Sequence, residues 1–216
     1  GLSNTVNATS LIERDKENKA GINTSSSDNN PKVINNLTIA EIEAKAASGD
    51  AYCQGLLGLF IFRGEYFEPD AVKARGWLTQ SALWNHPFGQ YGMLLLNRTK
   101  PSAQDLNQLL ALARKNDPEA LVIIGECLEI GFGYSRPHPS DAFSYYKKAA
   151  DLGFASAQCK MGMLYGEKYS DNINDRIQEY TYLRKAYDQG YKLFYTNDQG
   201  EVWDHALASY KIARDK

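Results

Sequence analysis

One segment recurs along the chain at a nearly constant interval, and that interval limits the fold more than any composition does. Gly49, Asn85, Asn116, Gly153 and Gly190 open successive segments, spaced by 36, 31, 37 and 37 residues. A period of this size is the mark of stacked two-helix units, none of which can bury its apolar face alone. The fullest copy runs from Gly49 to Leu83. Ala51, Gly55, Gly58, Ala74, Ser81 and Ala82 are small where two helix backbones must approach, and Leu57, Phe62, Trp77 and Leu78 fill the gaps between them. Gly64 ends the first helix, where a left-handed residue without a β-carbon costs least. Asp70 opens the second helix as its N-cap.

The copy at Asn116 keeps Asp117, Glu119, Ala120, Gly125 and Gly131, then Ala142, Tyr145 in the tryptophan slot, and Ala149–Ala150. The copy at Gly153 keeps Ala155, Ala157, Gln158, Met161, Gly162 and Tyr165, then Tyr182 and Ala186. In the short unit Pro101 and Ser102 replace the usual loop and the helix-ending glycine is missing, so its first helix is expected to end differently.

The ends of the array differ from its middle. Residues 1–36 are rich in Asn, Ser, Thr, Asp and Lys, without a helical stripe beyond Leu11–Ile12, and read as a disordered tail. The sharper reading is a tether behind a removed signal peptide or a lipid anchor ahead of Gly1, which points to a periplasmic or secreted protein. Asn-X-Ser/Thr matches at Asn7, Asn23, Asn36 and Asn97 come cheaply in so Asn-rich a sequence. Order is expected from Thr38, where Thr38-Ile39-Ala40-Glu41 forms a capping box ahead of a half-unit over 38–48. Residues 196–200 form a turn, and a last helix over 201–214 turns Trp203, Ala206, Leu207, Tyr210 and Ile212 inward. The domain reading is therefore a tail over 1–36 and an all-α solenoid over 37–216, with units near 49–84, 85–115, 116–152 and 153–189 and no sheet.

Catalytic signatures are missing from the sequence. His86, His138 and His205 lie in different units, without zinc-ligand spacing, and no serine sits in a G-x-S-x-G setting. Gly131-Phe132-Gly133 is a helix exit without the residues of a phosphate loop. The reading is therefore no enzyme, no cofactor and no metal. A formal charge of −2, from 24 basic and 26 acidic residues, gives no electrostatic case for nucleic acid or a membrane surface. The longest apolar run, Leu56–Phe62, is far short of the roughly 20 residues that span a bilayer. Cys53, Cys127 and Cys159 fall at different positions of the first helices and read as small buried hydrophobes, although a disulfide between neighbouring first helices stays open from spacing alone.

The pattern resembles the Sel1-like repeat family, relatives of the tetratricopeptide arrays, whose signature is roughly GDAxAQxxLGxxYxxG followed by AxxWxxxAAxxG. Gly49, Asp50, Ala51, Gln54, Leu57, Gly58 and Gly64 match its first helix, and Ala74, Trp77 and Ala82 its second; Cys53 and Ser81 are minor departures. The resemblance implies a right-handed α-solenoid and a non-catalytic adaptor that holds another protein in its concave groove. Two alternatives travel with it: a periplasmic immunity protein against a secreted toxin such as a phospholipase, and a hydrolase like the cysteine-rich β-lactam-binding relatives. The missing cysteine pairs and serine motif count against the last.

In such an array the first helices line the concave wall. Positions four, eight, eleven and fifteen of each unit share one helix stripe, which is apolar in the first two units. The expected partner site is Tyr52, Leu56, Leu59, Arg63, Phe88 and Leu95, with Glu126 from the third unit and the loop aromatics Tyr66 and Phe67 as rim anchors. The competing reading is that tight curvature or the N-terminal half-unit covers the stripe. Trp77, bridging adjacent helices, is expected to cost about 3–5 kcal/mol when cut to alanine.

Overall fold

The computed structural model describes residues 31–168 and 171–216. Among them ten helices follow one another in antiparallel pairs, forming an α-solenoid. A half-unit, α1 (Ile39–Ala47), precedes four pairs: α2 (Ala51–Arg63) with α3 (Ala71–Leu83), α4 (Pro87–Leu96) with α5 (Ala103–Arg114), α6 (Pro118–Ile130) with α7 (Pro139–Asp151), and α8 (Ala155–Glu167) with α9 (Ile173–Asp188). A hairpin of β1 (Phe194–Thr196) and β2 (Val202–Asp204) leads into α10 (His205–Asp215).

The repeat interval has a backbone cause. All five opening residues are left-handed, with φ of +100° at Gly49, +55° at Asn85, +61° at Asn116, +87° at Gly153 and +74° at Gly190. Glycine and asparagine adopt that conformation at least cost, so the two types can exchange at these corners. The signature glutamine also has a role. Gln54 and Gln158 each donate from Nε2 to a carbonyl in the last turn of the preceding helix, Ala46 at 3.1 Å and Ala150 at 3.4 Å. Each satisfies a carbonyl that the helix end would otherwise leave open.

First and second helices meet glycine against a large side chain. A β-carbon on Gly58 would stand 2.5 Å from Leu78 Cγ, one on Gly125 2.6 Å from Tyr146 Cε1, and one on Gly162 2.5 Å from Leu183 Cγ. Leu78 and Tyr146 are 0% exposed and Leu183 2%. In these three pairs the large side chain that meets the glycine is thus one place after the expected tryptophan slot. Trp77 and Tyr145 are only partly buried against the core. Tyr182, at 8%, is the best covered of the three slot residues.

Several expectations at the ends are corrected. The chain enters the core before Thr38: Val33 and Ile34 are 5% and 4% exposed, and Ile34 bridges Leu37. The tail assignment for residues 1–30 lies outside the described residues. Thr38 caps α1 by accepting from Glu41 N at 3.1 Å, while the Glu41 carboxylate accepts a hydrogen bond from Lys32 Nζ at 3.1 Å. The short unit carries its own capping box, Ser102 with Asp105. Its first helix ends without glycine, through Asn97 and then Arg98 at φ +53°.

The expectation of no sheet fails at the C-terminus. Thr196 pairs with Val202, Tyr195 with Trp203 and Phe194 with Asp204, in antiparallel register. Aromatic and β-branched residues flank the turn on both sides, which favours strands over an early helix start. Asn197 closes the turn, its side chain accepting from Gln199 N and Glu201 N at 3.0 and 2.8 Å. α10 therefore begins at His205 behind an Asp204 cap, leaving Trp203 43% and Ile212 61% exposed.

Candidate functional site

The first helices α2, α6 and α8 meet inside the superhelix, with one arginine at the centre of their contact. Arg63 occupies the last turn of α2, where a cation suits the helix dipole, and Glu119 the first turn of α6, where an anion does. The Arg63 guanidinium donates from Nη1 to Glu119 Oε1 and from Nη2 to Glu126 Oε2, the latter at 2.7 Å. Glu126 lies seven residues after Glu119, two turns along one face of α6. A third carboxylate comes from the loop after α2: Glu65 Oε2 stands 3.6 Å from Arg63 Nη1. Glu65 Oε1 accepts from Tyr191 Oη at 2.8 Å and from Ser156 Oγ on α8. Nearby, Glu129 accepts from Lys160 at 2.9 Å and from Tyr146 Oη at 2.7 Å.

One guanidinium thus faces three carboxylates, and the environment resolves the excess. Glu119 is 0% exposed, and burial raises its pKa above the ordinary carboxylate range against the opposing pull of Arg63. Burial pushes Glu126 the same way, although its side chain keeps 34% of its surface. The three carboxylates hold Arg63 charged against the cost of its own burial. Glu65 Oε2 and Glu119 Oε2 have no hydrogen-bond partner. Glu65 and Arg63 line a cleft of about 250 Å³, together with Glu126, Tyr146, Lys160 and Tyr195. Tyr195, 48% exposed, stacks on Trp203 at 6.1 Å, so the cleft is flanked by an aromatic pair from the hairpin.

The expected groove is therefore mostly filled. Leu56, Leu59 and Phe88 are 0% exposed and belong to the core, not to an open wall. Curvature explains this, because α2 of the first unit reaches α6 of the third directly. Tyr52 Oη donates to Asp117 Oδ2 at 2.7 Å and accepts from Asn35 Nδ2 at 2.8 Å. Its ring lies 5.4 Å from that of Phe88, so those two expected residues do meet. Tyr66 and Phe67, expected as rim anchors, pack half-buried on the core, with Tyr66 5.3 Å from the Tyr191 ring. Leu95 is half-buried as well. Only Arg63 and Glu126, of the nine expected residues, stand in the cleft.

Glu65, Tyr191 and Tyr195 reach the cleft from loops and the hairpin, and nothing in the repeat pattern singled them out. Glu119 and Glu126 carried a readable signal as the two acids on the inner stripe of the apolar helix α6. Cys53, Cys127 and Cys159 are free and buried, and burial pushes the Cys127 thiol up to about 11. Among the described residues no three His, Cys, Asp or Glu side chains are placed to hold a metal ion, and no helix is long and apolar enough to cross a membrane.

The Sel1 repeat matches residues 51–83, 118–154 and 155–191, which are the pairs α2–α3, α6–α7 and α8–α9 with their closing turns. No curated protein is matched by the sequence. Solved structures to which the chain is similar include the following three. Immunity protein Pa5087 from Pseudomonas aeruginosa is 16% identical over 88% of this chain and 72% of its own, with a TM-score of 0.43. The protective antigen c5321 of uropathogenic Escherichia coli is 24% identical over 71% of this chain and 34% of its own, with a TM-score of 0.40. A Sel1 repeat protein from Oxalobacter formigenes is 21% identical over 67% of this chain and 60% of its own, with a TM-score of 0.39. The chain thus spans about a third of c5321 and three fifths of the Oxalobacter protein. With three such repeats on these helix pairs, the chain belongs to the Sel1-repeat proteins.

Proposed function

We propose that the protein is a non-catalytic interaction scaffold whose partner, another protein, docks at the mouth of the inner cleft. The observation that carries this is the Tyr195–Trp203 pair, half exposed beside a cleft whose floor is charged and rigidly held. Large aromatics at the edge of a recess are the residue types that dominate binding energy at protein interfaces. In this reading Arg63 and Glu126 contact the partner, Tyr52, Tyr66, Phe67 and Leu95 brace the wall, and Leu56, Leu59 and Phe88 support it from behind. The carboxylates act as fixed recognition groups, already held by Arg63, Ser156 and Tyr191.

A photo-crosslinking side chain at Tyr195, expressed in the native host, tests the reading. One discrete protein adduct is expected there and none at Val72, an 83% exposed position on α3. Equal labelling at both positions, or adducts at Val72 alone, would move the docking surface elsewhere. A toxin as the adduct would make the scaffold an immunity protein.

A further inference from the structure

One carboxylate oxygen that lines the inner cleft is left without a donor. Arg63 donates to Glu119 and Glu126 and stands 3.6 Å from Glu65 Oε2, beyond hydrogen-bond reach, while Lys160 is engaged by Glu129. Glu65 is left with one oxygen satisfied and the other without a donor, on a side chain that is 3% exposed and lines the cleft. A buried carboxylate oxygen without a donor is costly, so Glu65 Oε2 can accept one more donor from the cleft. A cleft of about 250 Å³ holds far more than one water, whose share of liquid volume is roughly 30 Å³.

We infer that the cleft receives the ammonium or guanidinium of a lysine or arginine side chain from the docked protein, with Glu65 Oε2 as its acceptor and Glu126 as the second carboxylate. The inference rests on the scaffold reading and names what the partner inserts. Tyr195 and Met163 line the same cleft and would cover the aliphatic stem of such a side chain. Lys160 also lines the cleft, 36% exposed, and Glu129 at 2.9 Å offsets its charge.

Blocked amino acids test this without the partner. ¹³C-methyl methionine resonances are followed while N-acetyl-lysine amide, N-acetyl-arginine amide or neutral N-acetyl-norleucine amide is added to the full chain. Met163 lines the cleft and Met93 does not, so Met93 is the internal control. Saturable shifts at Met163 are expected with lysine or arginine amide and not with norleucine amide. Glu65→Gln keeps an acceptor for Tyr191 and Ser156 and should weaken binding at least about tenfold. If Glu65→Gln fails to fold, Glu126→Gln, at a partly exposed position, should still weaken it. Equal shifts with norleucine amide, no saturable shift with either cation, or unchanged affinity in the folded variants would overturn the inference. Tighter binding of putrescine than of either blocked amino acid would also overturn it, by making a free polyamine the occupant. Crosslinking at Tyr195 does not depend on the cation, so the scaffold reading can survive the loss of this one.

Discussion

On the flank of α2 that meets α3, the contact is glycine against leucine: Gly58 leaves room for Leu78, and the polar contacts beside it, Ser81 Oγ to Ala51 O and Gln54 Nε2 to Gln80 Oε1, are uncharged. On the flank that faces the interior, the same helix sets Arg63 among three carboxylates. α6 repeats the glycine contact, Gly125 against Tyr146, and also carries Glu119 and Glu126 toward Arg63, though here the Tyr146 hydroxyl reaches the cleft as well. The first flank builds the unit and tolerates no added volume. The second joins units that are not neighbours in sequence, through groups whose strength depends on protonation. One helix therefore carries a stability that ignores pH and a stability that does not.

Removing the central cation should give the largest effect. Arg63→Met leaves buried carboxylates unpaired and is expected to cost about 3–5 kcal/mol at pH 8 in urea denaturation. The loss should shrink toward pH 5 as the carboxyls take up protons, and an equal loss at both values would break the contrast between the flanks. On the dry flank, Leu78→Ala should cost about 2–5 kcal/mol with no pH dependence. Trp77→Ala, one residue away but only half-buried, should cost about 1–2 kcal/mol. A larger loss at Trp77 than at Leu78 would restore the tryptophan slot as the deeper one.

The smallest effect is the sharpest test of sign. Burial raises the Glu119 pKa in the folded chain above its unfolded value. Such a group contributes its full stability below the unfolded value, near pH 4.5, and loses it as pH rises through the raised one. Glu119→Gln should therefore gain on the unmodified protein as pH climbs from 5 to 8, read as a difference in melting temperature. A gain in the opposite direction would mean that Arg63 outweighs burial and holds Glu119 ionised.

Local chemistry made the dry flank readable in the sequence. Gly55, Gly58, Gly125 and Gly162 recur in step with the helix pairs, and the left-handed corners at Gly49, Asn85, Asn116, Gly153 and Gly190 repeat with them. The inner flank was harder to read because it depends on curvature, which sums small rotations over several units. The stripe Leu56–Leu59–Phe88 has the same composition whether the array is open or closed. Its burial follows from where α6 lies, and no single unit encodes that. The hairpin was missed for a different reason. The sequence after Gly190 breaks the repeat, and the three-residue strands on either side of the Thr196–Gly200 turn are too short to show an alternating pattern.

One contact alters how such a chain must fold. Phe194 N donates to Gly64 O at 2.8 Å, Tyr66 N to Lys192 O at 3.0 Å, and Tyr191 holds Glu65 across 126 residues of sequence. An ordinary helical array can form or unravel one unit at a time from either end, since each unit touches only its neighbours. Here the segment after the last pair is stitched to the first unit, so the pairs between them cannot unravel one at a time without opening the seam. Folding acquires a closing step of high contact order that the repeats themselves lack, and that step is slow for the loop entropy it must overcome. In return the amide hydrogens of α3 to α9, which lie between the two halves of the seam, should exchange in a single cooperative event.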